Sequence, residues 1–447
     1  MRNLSGWGAN GFLFGRWGRE ATSRSLSEAA LWAFRESEKE GVLLGHDGYR
    51  FMSSEIAEAI QERLVGQGIP VRGLERATTP PAIAQEVKRT KEVMGIAVTG
   101  AGERAGFVGI KLFGNMGHPM KLKMPPIEER EQPPPAREAV EPLVDRSDLG
   151  ANLVAKVLTI AGKGRGRKIG LDLCHGSGRR LWKTLFHEEE LVWFREEKRP
   201  MAMGFREERD FGQEIEKGGF SCGIRVEDGG ERFTVWDEKG SEVPDAIVQS
   251  MVLQEVVKLK GAKGPLVRSV DTSSTIGQAA KEMGLSEVFT STKEGNITDV
   301  THQHHGVMAV KRGNWIYLPF GAPCGDAMSS IVLFLGHWGR TRGTLSTLVN
   351  ETLRRLGRRY TSEVRLTLDT NEYLRVDHRL KEEPIMELAN SPLSGVRDIE
   401  GIRTDYENGT WFWASPRKFG QIVLFLESPN EATLRRSEGE LLKRLGL

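Results

Sequence analysis

Short apolar runs alternate with amphipathic segments through the first 120 residues, and this alternation restricts the possible folds more than any other feature. The run GVLLGHD predicts a buried strand, and the following SSEIAEAIQERLVGQG has the spacing of a helix closed by Gly66 or Gly68. TTPPAIAQEVKRT predicts another helix and VMGIAVT another strand, while Ser25 is the predicted cap of an earlier helix. The pattern is typical of a sheet flanked by helices.

The alternation is interrupted once and then resumes. Residues 124–143 are rich in proline and charge, which predicts a stiff exposed linker or an extended flap. Farther on, GVMAVKRGNWIYLPF predicts a hairpin and DAMSSIVLFLGHW a buried helix, and the C-terminal part predicts a small α+β domain. The sequence has no close short-period repeat, although three successive α/β units are compatible with structural repeats.

Length and charge limit the class of protein. A chain of 447 residues is expected to form about three or four domains. Its 63 basic and 61 acidic residues leave a net charge of +2, which argues against nucleic acid as a partner. Local clusters would have to bind any phosphate.

The cysteines and apolar runs bear on the compartment. Cys174, Cys222 and Cys324 form neither a disulfide framework nor a zinc pattern, which favours a reducing compartment. No apolar run approaches the roughly 18 residues of a membrane span, and the N-terminus lacks the apolar core of a signal peptide. We therefore expect a cytoplasmic protein with no membrane partner.

Several segments, in order, resemble those of the α-D-phosphohexomutases: phosphoglucomutase, phosphomannomutase and phosphoglucosamine mutase. They include LLGHDGYRFMSSEIAEAIQERLVGQGIPV, ATTPPAIAQEVK, MGIAVTGAGERAGFVGIKLF and KIGLDLCHGSGRR, and the spacing holds from Phe14 to the C-terminus. The resemblance implies three related mixed-sheet α/β domains plus a smaller C-terminal α+β domain around a central cleft. The implied domains are residues 1–145, 146–243, 244–345 and 346–447.

Family chemistry uses a phosphoserine that exchanges its phosphoryl group with a sugar phosphate. In the corresponding loop, residues 98–111, the resemblance places Ala101 at the position of the catalytic serine. Alanine has no oxygen to phosphorylate. Thr99 carries a hydroxyl but lies two residues early, so it is only a weak substitute nucleophile. Lys111 retains the end of the family's GIK motif.

The loop implied to hold the family's Mg²⁺, residues 227–232, also departs from its pattern. The family motif DxDxDR becomes EDGGER, which leaves Glu227, Asp228 and Glu231 as candidate metal ligands. Its central aspartate falls on a glycine. Weak metal binding and a solvated acidic turn both remain open, with the turn favoured, so the Mg²⁺ expected for the family is doubtful here.

Two further loops change charge. In the sugar-binding loop, residues 310–315, two cations replace the family's glutamate, and the phosphate loop, residues 414–421, loses its arginine but keeps a basic stretch. An arginine near the N-terminus stands close to the family's phosphate-facing position. The expected ligand-binding residues are Arg19, Lys111, Lys311, Arg312, Arg417 and Lys418.

These departures favour a diverged pseudoenzyme that binds a sugar phosphate, another anionic ligand or a protein partner. The alternative is an active phosphohexomutase with relocated catalytic groups. Nucleic-acid binding has little support beyond local charge. Separately, the segment THQHHG contains His302, His304 and His305. Alternate histidines on a strand would face the same side and could bind a metal, but an exposed loop is the favoured interpretation.

Overall fold

The computed structural model describes most of the chain. The described residues are 4, 11–47, 52–91, 93–100, 106–122, 141–145, 149–150, 152–153, 155, 167–173, 191–194, 206–227, 229–261, 263–416 and 420–447. Four sheets organise these residues.

The first sheet has six strands in the order β1-β5-β4-β2-β3-β6. Its strands are β1 (Phe12–Arg16), β2 (Gly41–His46), β3 (Val71–Leu74), β4 (Val93–Thr99), β5 (Phe107–Phe113) and β6 (Leu143–Asp145). Helices α1 (Ser23–Ser37) and α2 (Ser53–Val65) pack on one face, and α3 (Pro80–Thr90) packs on the other. Successive residues of β2 serve the two faces, because side chains alternate along a strand.

The second and third sheets have four strands each. The second contains β7 (Ile169–Asp172), β8 (Leu191–Phe194), β9 (Cys222–Val226) and β10 (Phe233–Asp237), with helix α4 (Arg206–Lys217). The third contains β11 (Leu266–Ser269), β12 (Glu287–Thr290), β13 (Met308–Lys311) and β14 (Trp315–Tyr317). Its helices are α5 (Asp245–Lys260), α6 (Ser274–Glu282), α7 (Glu294–Gln303) and α8 (Ala327–Gly339).

These three sheets share one topology. The orders β5-β4-β2-β3, β10-β9-β7-β8 and β14-β13-β11-β12 are equivalent, with the first pair antiparallel and the other two pairs parallel. The three α/β units are therefore structural repeats without a sequence repeat. Each antiparallel pair is a hairpin, and the three hairpin turns lie in loops 98–111, 227–232 and 310–315.

The C-terminal part is an α+β unit, as the sequence predicts. Its antiparallel sheet has the order β15-β20-β19-β18-β17-β16. The strands are β15 (Tyr360–Thr367), β16 (Glu387–Leu388), β17 (Ser391–Asp398), β18 (Ile402–Tyr406), β19 (Trp411–Pro416) and β20 (Gln421–Ser428). Helix α9 (Leu345–Leu356) precedes it, and α10 (Thr370–Glu382) and α11 (Glu431–Leu445) cover one face.

The opposite face of this sheet meets the third unit. Trp411, Trp413 and Phe425 form an apolar cluster with Val270, and Phe289 packs against it. This contact fixes the C-terminal unit beside strands β11 and β12, where it contributes to the surroundings of loop 310–315.

One local prediction was wrong. Thr22, not Ser25, is the N-cap of α1; Ser25 is its N3 partner in a reciprocal capping box. His302 lies at the C-terminal end of α7, and His304 and His305 follow it. All three are exposed, as the favoured interpretation expected, and none lies on a strand. The linker prediction cannot be compared for residues 123–140, which lie outside the described part. No described helix is long and apolar enough to cross a membrane.

Candidate functional site

Side chains from all three repeated units meet at one buried ion cluster. The Lys111 Nζ atom, from β5, donates hydrogen bonds to Glu231 Oε1 at 2.5 Å and to Glu294 Oε2 at 2.6 Å. Glu231 lies in the hairpin turn of the second unit, and Glu294 begins α7 of the third. The Lys111 side chain is only 2% exposed. Lys111 of loop 98–111 and Glu231 of loop 227–232 are thus in direct contact.

The geometry of strand β5 places Lys111 in this position. Lys111 pairs with Phe12 of β1 on one side and with Ala97 of β4 on the other, so its backbone is held in the sheet. Two residues earlier, a Cβ atom on Gly109 would lie 2.2 Å from the Leu13 carbonyl oxygen. The glycine in the GIK motif is therefore required for β1 to approach β5.

Hydrogen bonds within the turn and across units hold the segment that carries Glu231. The Glu227 backbone N–H donates to the Arg232 carbonyl at 3.0 Å, and the Gly230 N–H donates to the Glu227 carbonyl at 2.8 Å. The Gly230 carbonyl accepts from the Ala327 N–H at 3.1 Å, which satisfies a donor at the start of α8. Glu231 is thereby directed toward Lys111.

Burial and charge act in opposite directions on the two glutamates. Burial raises the pKa of Glu231 to about 7, although Lys111 favours its ionised form. Burial alone would also raise the pKa of Glu294, but Lys111, Lys311 and Arg232 together lower it to about 2. Burial opposes the charge of Lys111, yet Glu231 and Glu294 raise its pKa above the ordinary value. Lys111 is therefore a permanent cation in the cluster at neutral pH.

Two more cations approach the cluster. Arg232 Nη2 and Lys311 Nζ each lie 3.9 Å from Glu294 Oε1, too far for a hydrogen bond. Burial lowers the pKa of Lys311, and the charge of Arg232 adds to this effect. The Arg232 side chain is 31% exposed. Burial opposes the charge of Arg232, yet the carboxylates of Glu227 and Glu294 raise its pKa, so it stays a cation beside the cluster.

The described carboxylates do not fit Mg²⁺. The Glu231 carboxylate is hydrogen-bonded to an ammonium group, and no three His, Cys, Asp or Glu side chains in the described part are grouped to hold a metal ion. Glu227 lies at the start of the turn, and Asp228 lies outside the described residues. Mg²⁺ prefers several oxygen ligands in octahedral geometry, which this arrangement does not supply.

Thr99, the candidate substitute nucleophile, is buried. Thr99 ends β4 and its side chain is 0% exposed, so its hydroxyl does not face a cleft. Ala101 lies outside the described residues. The exposed Arg19 lies in the turn after β1, next to loop 98–111, where the Trp17 N–H donates to the Gly106 carbonyl at 2.7 Å.

The two cations of loop 310–315 point to different places. Lys311 faces the ion cluster, whereas Arg312 forms an ion pair with Glu363 of β15 and stacks 4.5 Å from the centre of the Phe425 ring. The sequence grouped these two cations in one cleft, but the structure assigns Arg312 to the interface with the C-terminal unit. Arg417 and Lys418 lie outside the described residues.

Sequence reasoning missed Glu294 and assigned Arg232 no role of its own. An acidic residue in the first turn of a helix commonly stabilises the helix dipole, so nothing about Glu294 marks it as a partner of Lys111. Its 183-residue separation from Lys111 also hides the contact. Arg232 could have been identified from the family motif, in which the arginine ends the metal loop.

Comparison with known proteins agrees with this architecture. Residues 16–130 match the family model of the phosphoglucomutase/phosphomannomutase α/β/α domain I. No curated protein sequence gives a significant match.

Solved structures of the family share the fold across nearly the whole chain. A phosphoglucomutase/phosphomannomutase family protein from Burkholderia thailandensis is 16% identical, with a TM-score of 0.78 over 98% of this chain and 97% of that one. A protein from Thermus thermophilus, assigned as a phosphomannomutase, is 19% identical, with a TM-score of 0.76 and 98% of both chains covered. Parafusin, a phosphoglucomutase from Paramecium in an open form, is 13% identical, with a TM-score of 0.71 over 99% of this chain and 95% of that one. Residues 16–130 therefore match domain I of the phosphoglucomutase/phosphomannomutase family, and the chain as a whole shares the fold of these solved structures.

Proposed function

We propose that this protein binds a phosphorylated small molecule, such as a sugar phosphate, without Mg²⁺ and without phosphoserine-dependent transfer. The observation that carries the proposal is the cluster of Lys111, Glu231 and Glu294. A protein ammonium group is hydrogen-bonded to Glu231, an acid of the metal loop. The positive charge that Mg²⁺ would bring to this loop is therefore supplied by the ammonium group of Lys111.

The absence of a serine at position 101 supports the non-catalytic part of the proposal. Phosphoryl transfer through a covalent intermediate needs an oxygen nucleophile in line with the phosphorus atom. Position 101 is an alanine, and the neighbouring hydroxyl of Thr99 is fully buried. Loss of such a nucleophile typically lowers the rate by several orders of magnitude.

The binding part of the proposal is supported by Arg232 and Lys311. Both cations are partly buried beside Glu294 at 3.9 Å, where an anion would be poorly screened by solvent. A phosphate group accepting hydrogen bonds from both would relieve the repulsion between them. Charge-assisted hydrogen bonds of this kind contribute about 1.5–3 kcal/mol each.

Calorimetry and a coupled mutase assay test the two parts separately. We expect glucose 1-phosphate, glucose 6-phosphate or glucose 1,6-bisphosphate to bind equally with Mg²⁺ and with EDTA. The double variant Arg232→Ala/Lys311→Ala should weaken binding by about 10-fold or more. A matched control is Arg354→Ala/Arg436→Ala, which removes two exposed arginines.

Two results would contradict the proposal. Turnover on the order of 1–1000 s⁻¹ with Mg²⁺ and bisphosphate would restore the active-mutase hypothesis. Binding that is unchanged in the Arg232→Ala/Lys311→Ala variant, or absent for all three sugar phosphates, would refute the binding site.

A further inference from the structure

A cavity of about 450 Å³ lies between the first and third units. The first unit contributes the end of α1 and the segment that follows β5, and the third contributes the C-terminal part of α7. No residue of the ion cluster lines this cavity. Two methionines and two histidines meet in its walls: Met116, His118, Met120 and His302.

Backbone hydrogen bonds fold the segment after β5 into a tight hairpin. The Gly114 N–H donates to the His118 carbonyl at 2.9 Å, and the Met120 N–H donates to the Leu112 carbonyl at 3.0 Å. His118 and Met120 are two residues apart on the extended return arm, so their side chains face the same side. A Cβ atom on Gly114 would lie 3.8 Å from the Met120 sulfur, which places that sulfur over a glycine in the cavity wall.

The His118 ring is positioned by groups from the third unit. Its Nδ1 atom lies 3.4 Å from Asp299 Oδ1, and its centre lies 6.3 Å from the ring centres of Tyr317 and His302. A carboxylate beside Nδ1 favours the tautomer with the proton on that nitrogen, which leaves Nε2 free to bind a metal ion. Because metal–nitrogen distances are about 2 Å, two imidazoles on one ion have centres about 5–6 Å apart, close to the spacing of His118 and His302.

The types of ligand select the metal. Thioether sulfur and neutral imidazole are soft or borderline donors without charge, which suit Cu(I), whereas Zn²⁺ sites use three or four His, Cys, Asp or Glu side chains. No three such side chains within the described ranges are grouped to hold a metal ion. Asp299 is already paired with Lys121. His302 lies in the last turn of α7, where the negative end of the helix dipole favours a cation.

We propose that Met116, His118, Met120 and His302 form a Cu(I) site that joins the first and third units. Met116 supplies the second sulfur from the tip of the hairpin, where its side chain is 41% exposed. Its φ of 58° is unusual for a residue other than glycine, and such strained backbone is concentrated at functional sites. The site shares no residue with the ion cluster, so it goes beyond the function proposed above.

Anaerobic competition against bicinchoninate measures Cu(I) binding to the full-length protein. We expect one Cu(I) per chain, and an equal concentration of Zn²⁺ should not displace it. X-ray absorption at the copper edge should show sulfur and nitrogen neighbours together. Since a thiol also binds Cu(I), the competition is repeated in Cys174→Ser, which should bind like the wild type.

Two double variants locate the site. Met116→Leu/Met120→Leu removes both sulfurs while keeping the size of the side chains, and His118→Gln/His302→Gln removes both imidazoles. Each should weaken Cu(I) binding by about 10-fold or more, since loss of even an outer-shell partner of a metal costs about 10–100-fold. Thermal unfolding of the metal-free variants checks that each is folded.

The matched control is Met386→Leu/His304→Gln, which should bind Cu(I) like the wild type. Met386 is 64% exposed, His304 is exposed two residues from His302, and neither lines the cavity. Equal Cu(I) affinity in Met116→Leu/Met120→Leu and in this control would overturn the site. Zn²⁺ bound more tightly than Cu(I), or Cu(I) binding lost in Cys174→Ser, would do the same. Sugar-phosphate calorimetry is carried out without copper, so these results leave the proposed function intact.

Discussion

Lys111 shows how one side chain changes the chemistry expected of a familiar loop. Its ammonium group is held by two carboxylates from different units, at 2.5 and 2.6 Å. The lysine was expected to bind ligand, and in the structure its charge is instead used within the protein. Arg232 and Lys311 are the described cations that we propose for a ligand at this site.

The pKa values in the cluster predict how stability depends on pH. The pKa of Glu231 is raised to about 7 in the folded state from an ordinary value of 4.5. Between these values the folded state binds more protons than the unfolded state, so Glu231 destabilises the protein progressively as pH rises from about 4.5 to 7. Glu294, with a pKa lowered to about 2, contributes stability above about pH 4.5 that is lost toward pH 2.

In the wild type, Glu231 lowers the free energy of unfolding as the pH rises from 5 to 7.5. We therefore expect Glu231→Gln to lack this decrease in stability. Thermal unfolding at the two pH values measures the difference. It should be on the order of 1–3 kcal/mol, because one pKa unit corresponds to about 1.4 kcal/mol. Glu62→Gln, at an exposed position of α2, is the control. Parallel pH profiles of wild type and Glu231→Gln would contradict this prediction.

At the scale of secondary structure, the hairpins determine where chemistry is placed. The three repeated units place an antiparallel hairpin at the same topological position, and each turn falls in one of the predicted loops. Strand and helix periodicity predicted most of these elements, because side-chain spacing is a local property. The equivalence of the three sheets became visible only from strand order.

Gly109 tests the role of strand packing in this arrangement. Gly109→Ala should destabilise the protein by about 1–3 kcal/mol, because the new methyl group would lie 2.2 Å from the Leu13 carbonyl oxygen and separate β1 from β5. Thermal unfolding measures the loss. Gly395→Ala, on strand β17, is a matched control, since its Cβ would have no neighbour within 4 Å. Equal unfolding temperatures for the two variants would contradict the packing argument.

In the whole molecule, a buried arginine fastens the C-terminal unit to the third unit. Arg403 is 0% exposed and donates from Nη1 to the Val270 carbonyl at 2.7 Å and to the Thr272 carbonyl at 3.1 Å. Its guanidinium also lies 3.6 Å from the centre of the Trp411 ring. This contact joins the two units.

Arg403→Met should loosen the C-terminal unit, because Asp405 and two carbonyl groups would lose a donor in the interface. Removing one member of a buried ion pair costs about 3–5 kcal/mol. Limited proteolysis should cleave the segment between α9 and β15 faster, and hydrogen exchange should increase in β19. Arg435→Met, which removes an exposed ion pair with Glu431, is the control. Unchanged cleavage and exchange in Arg403→Met would show that this arginine does not hold the units together.

Local patterns in the chain predicted the α/β class, the small C-terminal unit and the hairpin with Lys311 and Arg312, because periodicity and turn composition act over a few residues. The sequence alone also shows that position 101 has no hydroxyl group, because the residue there is an alanine. The ionic partners could not be predicted from local patterns. Lys111 contacts Glu231 and Glu294, which are 120 and 183 residues away in the sequence, and Arg312 pairs with Glu363 instead of facing the cluster with Lys311. Electrostatic pairing depends on distance in space. Only the packing of the four sheets brought these side chains together.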